Sequence, residues 1–217
     1  MLDRLGLVVA AALVGWCLGW LVAWLTNWLQ RQDDLPSTAR GVLIQDVFVQ
    51  SAAALVWAAA ALVFDDWPRW VAVALLAVPL IQVTVTDLRH RYVYTVVAAI
   101  GLLLGLGLGW LAHAADLVQG VRDSALGALG GFVAFAVLYL LGRLLYRGGE
   151  PLARGDMTIA AMVGAQAGAC TASALFLGVI LGGLLALGVL LRGGSRRDFM
   201  AYGPGLCVGG LVSLFRC

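Results

Sequence analysis

Long apolar runs separated by short polar breaks dominate this chain, and runs of that length predict helices that cross a membrane, joined by tight loops. The first runs from about Leu5 to Gln30. It is too long for the apolar part of a signal peptide and has no small-residue cleavage site before a polar domain, so it reads as a retained span. Its exit, from Thr26 to Asp34 and then Pro36, is polar. A second span, about Val42 to Phe64, carries Gln45, Asp46 and Gln50 in its first turns; a turn with Trp67 and Trp70 follows, as at a membrane interface. Span three, about Val71 to Thr86, ends at Asp87 and gives way to the basic turn Leu88, Arg89, His90, Arg91. Span four covers about Tyr92 to Leu111, and span five about Arg122 to Tyr146, with a loop from His113 to Val121 between them. A Gly-, Pro- and Arg-containing loop, Gly148 to Gly155, leads into Asp156.

The apolar stretch from Met157 to Leu191 is too long for one span and slightly short for two, with a weak break from Cys170 to Ser173. Arginine arbitrates. Two spans put ten of the 14 Arg on one side of the membrane, leaving Arg4, Arg69, Arg122 and Arg216 on the other; a single span gives seven and seven. The positive-inside tendency therefore favours two spans and makes the Arg-rich side cytoplasmic. With a last span from about Met200 to Phe215, the expected fold is all-α: a polytopic membrane helix bundle of about eight transmembrane helices, with both termini outside. Asp87 and Asp156 then share the cytoplasmic side.

Glycine recurs at four-residue spacing, at Gly15 and Gly19, at Gly101, Gly105 and Gly109, and at Gly127 and Gly131, which are faces for close helix packing. Asp156 shares such a face with Ala160, Gly164 and Gly168. A carboxylate above a strip with almost no side chains, at a membrane boundary, is costly unless paired, solvated or used.

Composition narrows the class. Hydrophobic residues make up 62% of the 217, and mean hydropathy is +0.96, too apolar for a water-soluble domain. The net charge of +2 gives no reason to expect nucleic acid as a partner. Cys17, Cys170, Cys207 and Cys217 lie in apolar stretches without CxxC or metal-ligand spacing and read as small buried hydrophobes or lipid-facing groups. The two histidines, His90 and His113, are expected on opposite sides, which leaves no Ser-His-Asp or Cys-His arrangement and no zinc ligand set.

Two aspartates held at one membrane level can share a proton, one acting as base toward a water while the other donates to a scissile carbonyl. No cofactor and no metal is needed. Other readings stay open: Asp156 as a helix N-terminal carboxylate satisfied by backbone N–H groups, Asp87 as the partner of Arg89 or Arg91, and the pair as a proton or cation relay in a transporter.

The segment VTDLRHRYVYTVV resembles the first aspartate motif of the prepilin peptidases, the type IV leader peptidase family of membrane aspartyl proteases. ARGDMTIAAMVGAQAG is similar to the second motif, Gly-x-Gly-Asp-x-Lys followed by a small-residue helix. GWCLGWLVAWLTNWLQ resembles the family's first span, and AYGPGLCVGGLVSLF its C-terminal Gly-Pro span. The resemblance implies that residues 1–217 form one integral-membrane peptidase domain, without a cysteine-bearing cytoplasmic insert between spans one and two. It implies cleavage of the leader from prepilin or pseudopilin precursors at the cytoplasmic face of the inner membrane, with Asp87 and Asp156 catalytic. Gly155 and Arg89 would shape the site, and Asp46 would line the same cavity or sit at a wetted helix end. The chain departs from the pattern at Ala153 and Thr158, where Gly and Lys are usual, and at Tyr94, where Pro is common. Without paired CxxC motifs, N-methylation is not expected. A catalytically lapsed homologue serving as a scaffold is the remaining alternative.

Overall fold

The computed structural model describes residues 2–32, 39–145, 153–191 and 202–217. Asp33, Asp34, Pro36, Tyr146, Arg147, Gly148, Arg192, Arg196, Arg197 and Met200 lie outside the described residues. All regular structure among the described residues is helical: α1 (Leu2–Gln32), α2 (Ala39–Val63), α3 (Trp67–His90), α4 (Thr95–Ala112), α5 (Leu117–Leu145), α6 (Arg154–Ala167), a 3-10 turn (Gly168–Cys170), α7 (Thr171–Leu191) and α8 (Gly203–Arg216). The expected runs and the helices coincide closely, with local shifts. Asp87 lies inside the last turn of α3, and Leu117 to Val121, expected as loop, already belongs to α5, where Gly120 packs closely on Trp110.

Six helical stretches of the described residues are long and apolar enough to cross a membrane, fewer than the eight expected. Two features account for the difference. α6, the 3-10 turn and α7 run on as one continuous stretch, Arg154–Gly188, and α8 has only 14 residues.

Packing nevertheless shows that the chain reverses between α6 and α7. Gly203 meets Ile159 and Gly210 meets Val163, so α8 runs parallel to α6; Gly205 meets Gly178 and Gly209 meets Ala174, so α8 runs antiparallel to α7. The break expected at Cys170 to Ser173 sits earlier, at Gly168, whose φ of 54° suits a residue without a Cβ. Thr171 and Ser173 are helical, with their hydroxyls bonded back to the Gly168 and Cys170 carbonyls at 2.6 and 2.8 Å.

α1 and α2, and α5 and α6, likewise pack antiparallel, whereas α4 runs parallel to α6. Glycine sets how close they come. Gly15 and Gly19 admit α2 at Ala53 and Gln50, Gly105 admits α6 at Ala165, and a Cβ on Gly127 or Gly131 would overlap the Gly164 or Ala160 carbonyl oxygen. The small-residue strip below Asp156 is thus the contact face for α5. α3, α6 and α8 supply most of the largest fully buried side chains, among them Leu76, Leu80, Ile159, Met162 and Leu206, while α1, α5 and α7 present apolar side chains outward.

Cysteine departs from expectation. Cys170 and Cys217 form a disulfide, so they are neither reduced hydrophobes nor lipid-facing groups; Cys17 is exposed and Cys207 buried. The reversal at the 3-10 turn brings the start of α7 to the end of α8, an encounter that sequence spacing cannot reveal.

Candidate active site

α3 runs toward one end of the bundle and α6 starts from that same end, which is why residues 69 apart in sequence meet there. Asp87 and Asp156 are both buried, at 5% and 4% exposure. They are close enough for the charge of one to act on the other.

Asp87 is held where α3 stops. Arg91 adopts the left-handed conformation, with φ 52° and ψ 36°, and its N–H donates to the Asp87 carbonyl at 2.9 Å, closing the helix as a C-terminal cap does. The Arg91 guanidinium lies within electrostatic reach of the Asp87 carboxylate, and the Gly203 N–H faces it from the amino end of α8. The Asp87 Oδ2 atom itself is buried without a hydrogen-bond partner.

Asp156 is fixed differently. It is the third residue of α6, and its Oδ2 accepts the Ala153 N–H at 3.1 Å while its own N–H donates to the Ala153 carbonyl at 3.0 Å. One oxygen is therefore occupied by the helix start. The N-terminal capping reading of Asp156 is thus true of the geometry, and it leaves Asp156 within electrostatic reach of Asp87. Thr158, in place of the usual Lys, turns its hydroxyl to the Gly155 carbonyl at 2.7 Å.

The other site residues named from the sequence lie around this pair unevenly. Gly155 faces Val93 of the turn after α3, and a Cβ there would sit at 3.5 Å from it, an ordinary contact. Arg89 donates to Gln45 Oε1 on α2, and Asp46 accepts from Asn27 Nδ2 of α1 at 3.0 and 3.2 Å. Both belong to a polar seam between α1, α2 and α3, which Gln82 extends by donating to Thr26. Gln82 and Arg89 are two turns apart on one face of α3, whereas Asp87 faces α6 and α8.

Sequence reading did not single out Gly203 or the Ala153 N–H, and read Cys207 only as a small buried or lipid-facing group. Cys207 is fully buried on α8 beside Thr84. Next to it is an apolar cavity of about 150 Å³ between α2, α3 and α8, lined in part by Phe48, Leu80, Thr84 and Leu211. Among the described residues, no group of three or more His, Cys, Asp or Glu could hold a metal ion.

No family model matches the chain, and no solved structure matches it. It is 29% identical over 167 residues to the type 4 prepilin-like proteins leader peptide-processing enzyme of Escherichia coli O78:H11 (strain H10407 / ETEC), an alignment covering 77% of this chain and 60% of that protein. The chain thus spans less than two thirds of the length of the curated relative it matches. This likeness supports the prepilin leader-peptidase family that the aspartate motifs resemble.

Proposed function

We propose that this protein is a membrane aspartyl endopeptidase that cleaves the leader peptide from type IV prepilin-like precursors. The observation that carries the reading is the placement of two buried carboxylates, Asp87 from the end of α3 and Asp156 from the start of α6, at one end of an apolar bundle and within electrostatic reach of each other. Two carboxylates this close do not both ionise cheaply, so the pair holds one proton. The ionised member takes a proton from water as the water oxygen bonds to the scissile carbonyl carbon, and the protonated member donates to the carbonyl oxygen. Collapse of the tetrahedral intermediate breaks the C–N bond, and the amine leaves with a proton returned by the pair. Hydrolysis of this kind draws on no cofactor. Asp87 Oδ2 has bonding capacity left for a water that enters with the substrate, and the apolar cavity beside Cys207 and Thr84 suits an apolar side chain of the precursor.

Sidedness has two independent supports. Arginine is concentrated on the loops of the aspartate end, and the Cys170–Cys217 disulfide lies at the opposite end, as a bond formed outside the cytoplasm would. The reading is a multi-pass inner-membrane protein of eight crossings, both termini outside and the aspartates on the cytoplasmic side, with bilayer lipid and precursor peptides as partners and no nucleic acid. A transport relay would place carboxylates near the midplane with access from both sides. Both aspartates lie at one end of their helices, which favours peptidase chemistry.

The test is cleavage of a prepilin-like precursor by the detergent-solubilised protein beside Asp87→Asn and Asp156→Asn. Wild-type cleavage, lost in both variants while each stays folded, is the expected result. Cleavage surviving either change defeats the mechanism.

A further inference from the structure

We propose that Gly203 is a positioning residue for Asp87, and that the position demands glycine because the amino end of α8 packs directly on the carboxylate. The proposal rests on the reading of Asp87 as catalytic and assigns a task to a residue outside the aspartate motifs.

Glycine at 203 is not explained by backbone conformation. Among the described residues, Gly168 is the glycine with positive φ, while Gly203 is an ordinary helical residue of the first turn of α8. The missing side chain is what matters. A Cβ at 203 would overlap the Asp87 carboxylate and come within 2.8 Å of Ile159 Cδ1. Pro204 follows and has no N–H, so the Gly203 N–H is the helix-end donor that faces the carboxylate.

α8 has no slack to give way. On its far side, Gly205 packs on the Gly178 carbonyl and on Gly182, and Gly209 on the Ala174 carbonyl. A methyl group at 203 therefore displaces the Asp87 side chain rather than the helix. Asp87 Oδ2 is buried and unpartnered, so nothing else among the described residues anchors that oxygen when the carboxylate turns. Bare backbone at 203 keeps the carboxylate in the one orientation from which it works with Asp156.

The experiment compares Gly203→Ala with Gly209→Ala in the full chain, measuring precursor cleavage and thermal unfolding. For Gly203→Ala, a misplaced reacting group should lower kcat by about tenfold to about 100-fold, with KM and melting temperature little changed. Gly209→Ala should lower the melting temperature while the folded fraction keeps its kcat. Ile159→Val removes the Cδ1 that crowds the new methyl, and adding it to Gly203→Ala should restore part of kcat. A second readout needs no cleavage: modification of Asp87 by a membrane-soluble carbodiimide, followed by mass spectrometry, should change at least about threefold in Gly203→Ala, as reactivity follows a carboxyl group's surroundings. Unchanged kcat and unchanged labelling overturn the proposal. So does a loss of kcat that tracks lost folding and resists Ile159→Val. Wild-type protein that never cleaves refutes the peptidase reading alone, because the labelling still decides the contact.

Discussion

Two polar regions are buried near the same end of this bundle, and they are built on opposite principles. The seam between α1, α2 and α3 is tied together by bonds between helices: Gln82 donates to Thr26, Asn27 to Asp46, and Arg89 to Gln45, while Asn27 Oδ1, Gln45 Nε2 and Gln82 Oε1 stay buried without partners. Between α3, α6 and α8, two buried carboxylates lie within electrostatic reach of each other, and the Asp87 Oδ2 atom has no hydrogen-bond partner. Side chains that bond across helices hold them together in lipid. Carboxylates left with bonding capacity in the same setting are costly to keep, and that cost marks a site of chemistry. Neither burial nor an unpartnered atom separates the two regions; what sets the second apart is that its unpartnered atom belongs to a buried carboxylate within electrostatic reach of another.

The sharpest way to break this contrast is to neutralise each region in turn. Asp87→Asn and Asp156→Asn should each reduce precursor cleavage by about 1,000-fold, the scale of lost acid–base catalysis, without lowering the melting temperature. Gln82→Leu should leave kcat within about twofold and cost about 0.6 kcal/mol, the mean for an interhelical hydrogen bond in a membrane protein. A seam variant that abolished cleavage in a stably folded protein would erase the distinction.

A smaller effect is expected where α5 supports the aspartate helix. Gly131→Leu forces a side chain against the Ala160 carbonyl, one turn from Asp156. Overpacking of this kind costs about 1–3 kcal/mol. Thermal unfolding should show the loss, with cleavage falling in proportion to the folded fraction. The disulfide end is further still from the chemistry. Replacing Cys170 and Cys217 with Ser opens a crosslink spanning 47 residues, which for soluble proteins is worth about 2–4 kcal/mol. In intact cells, with Cys17 and Cys207 replaced, a membrane-impermeant maleimide should label these two cysteines only after an impermeant reductant has been added from outside. Labelling that requires cytoplasmic access would invert the proposed topology.

Much of this architecture was legible in the chain because lipid makes helix positions a matter of local composition. The apolar runs gave the helices, and glycine spacing gave contact faces that the packing uses, as Gly15 against α2 and Gly131 against α6 show. Asp87 and Asp156 stood out because a carboxylate at an apolar helix end is conspicuous. Partner choice was not legible. Arg89 meets Gln45 and Asp46 meets Asn27 because of how α1 and α2 rotate about their axes, which loop composition does not encode. The pairing of Cys170 with Cys217 depends on a chain reversal set by one glycine conformation, at Gly168.

The smallest effect belongs to Gly155, and it sharpens the comparison by separating two glycines of the same site. A Cβ at 203 has no room, whereas a Cβ at 155 reaches ordinary contact with Val93 at 3.5 Å. Gly155 is an early residue of α6 and carries no positive φ, so neither space nor backbone demands glycine there. Alanine in a helix is favoured over glycine by about 0.5–1 kcal/mol. Gly155→Ala should therefore raise the melting temperature slightly and leave kcat and KM within about twofold, since most substitutions away from strained or crowded positions change little. If KM rises by tenfold or more at unchanged stability, the groove beside Val93 is where the precursor chain passes, and the bareness of Gly155 serves the substrate rather than the fold.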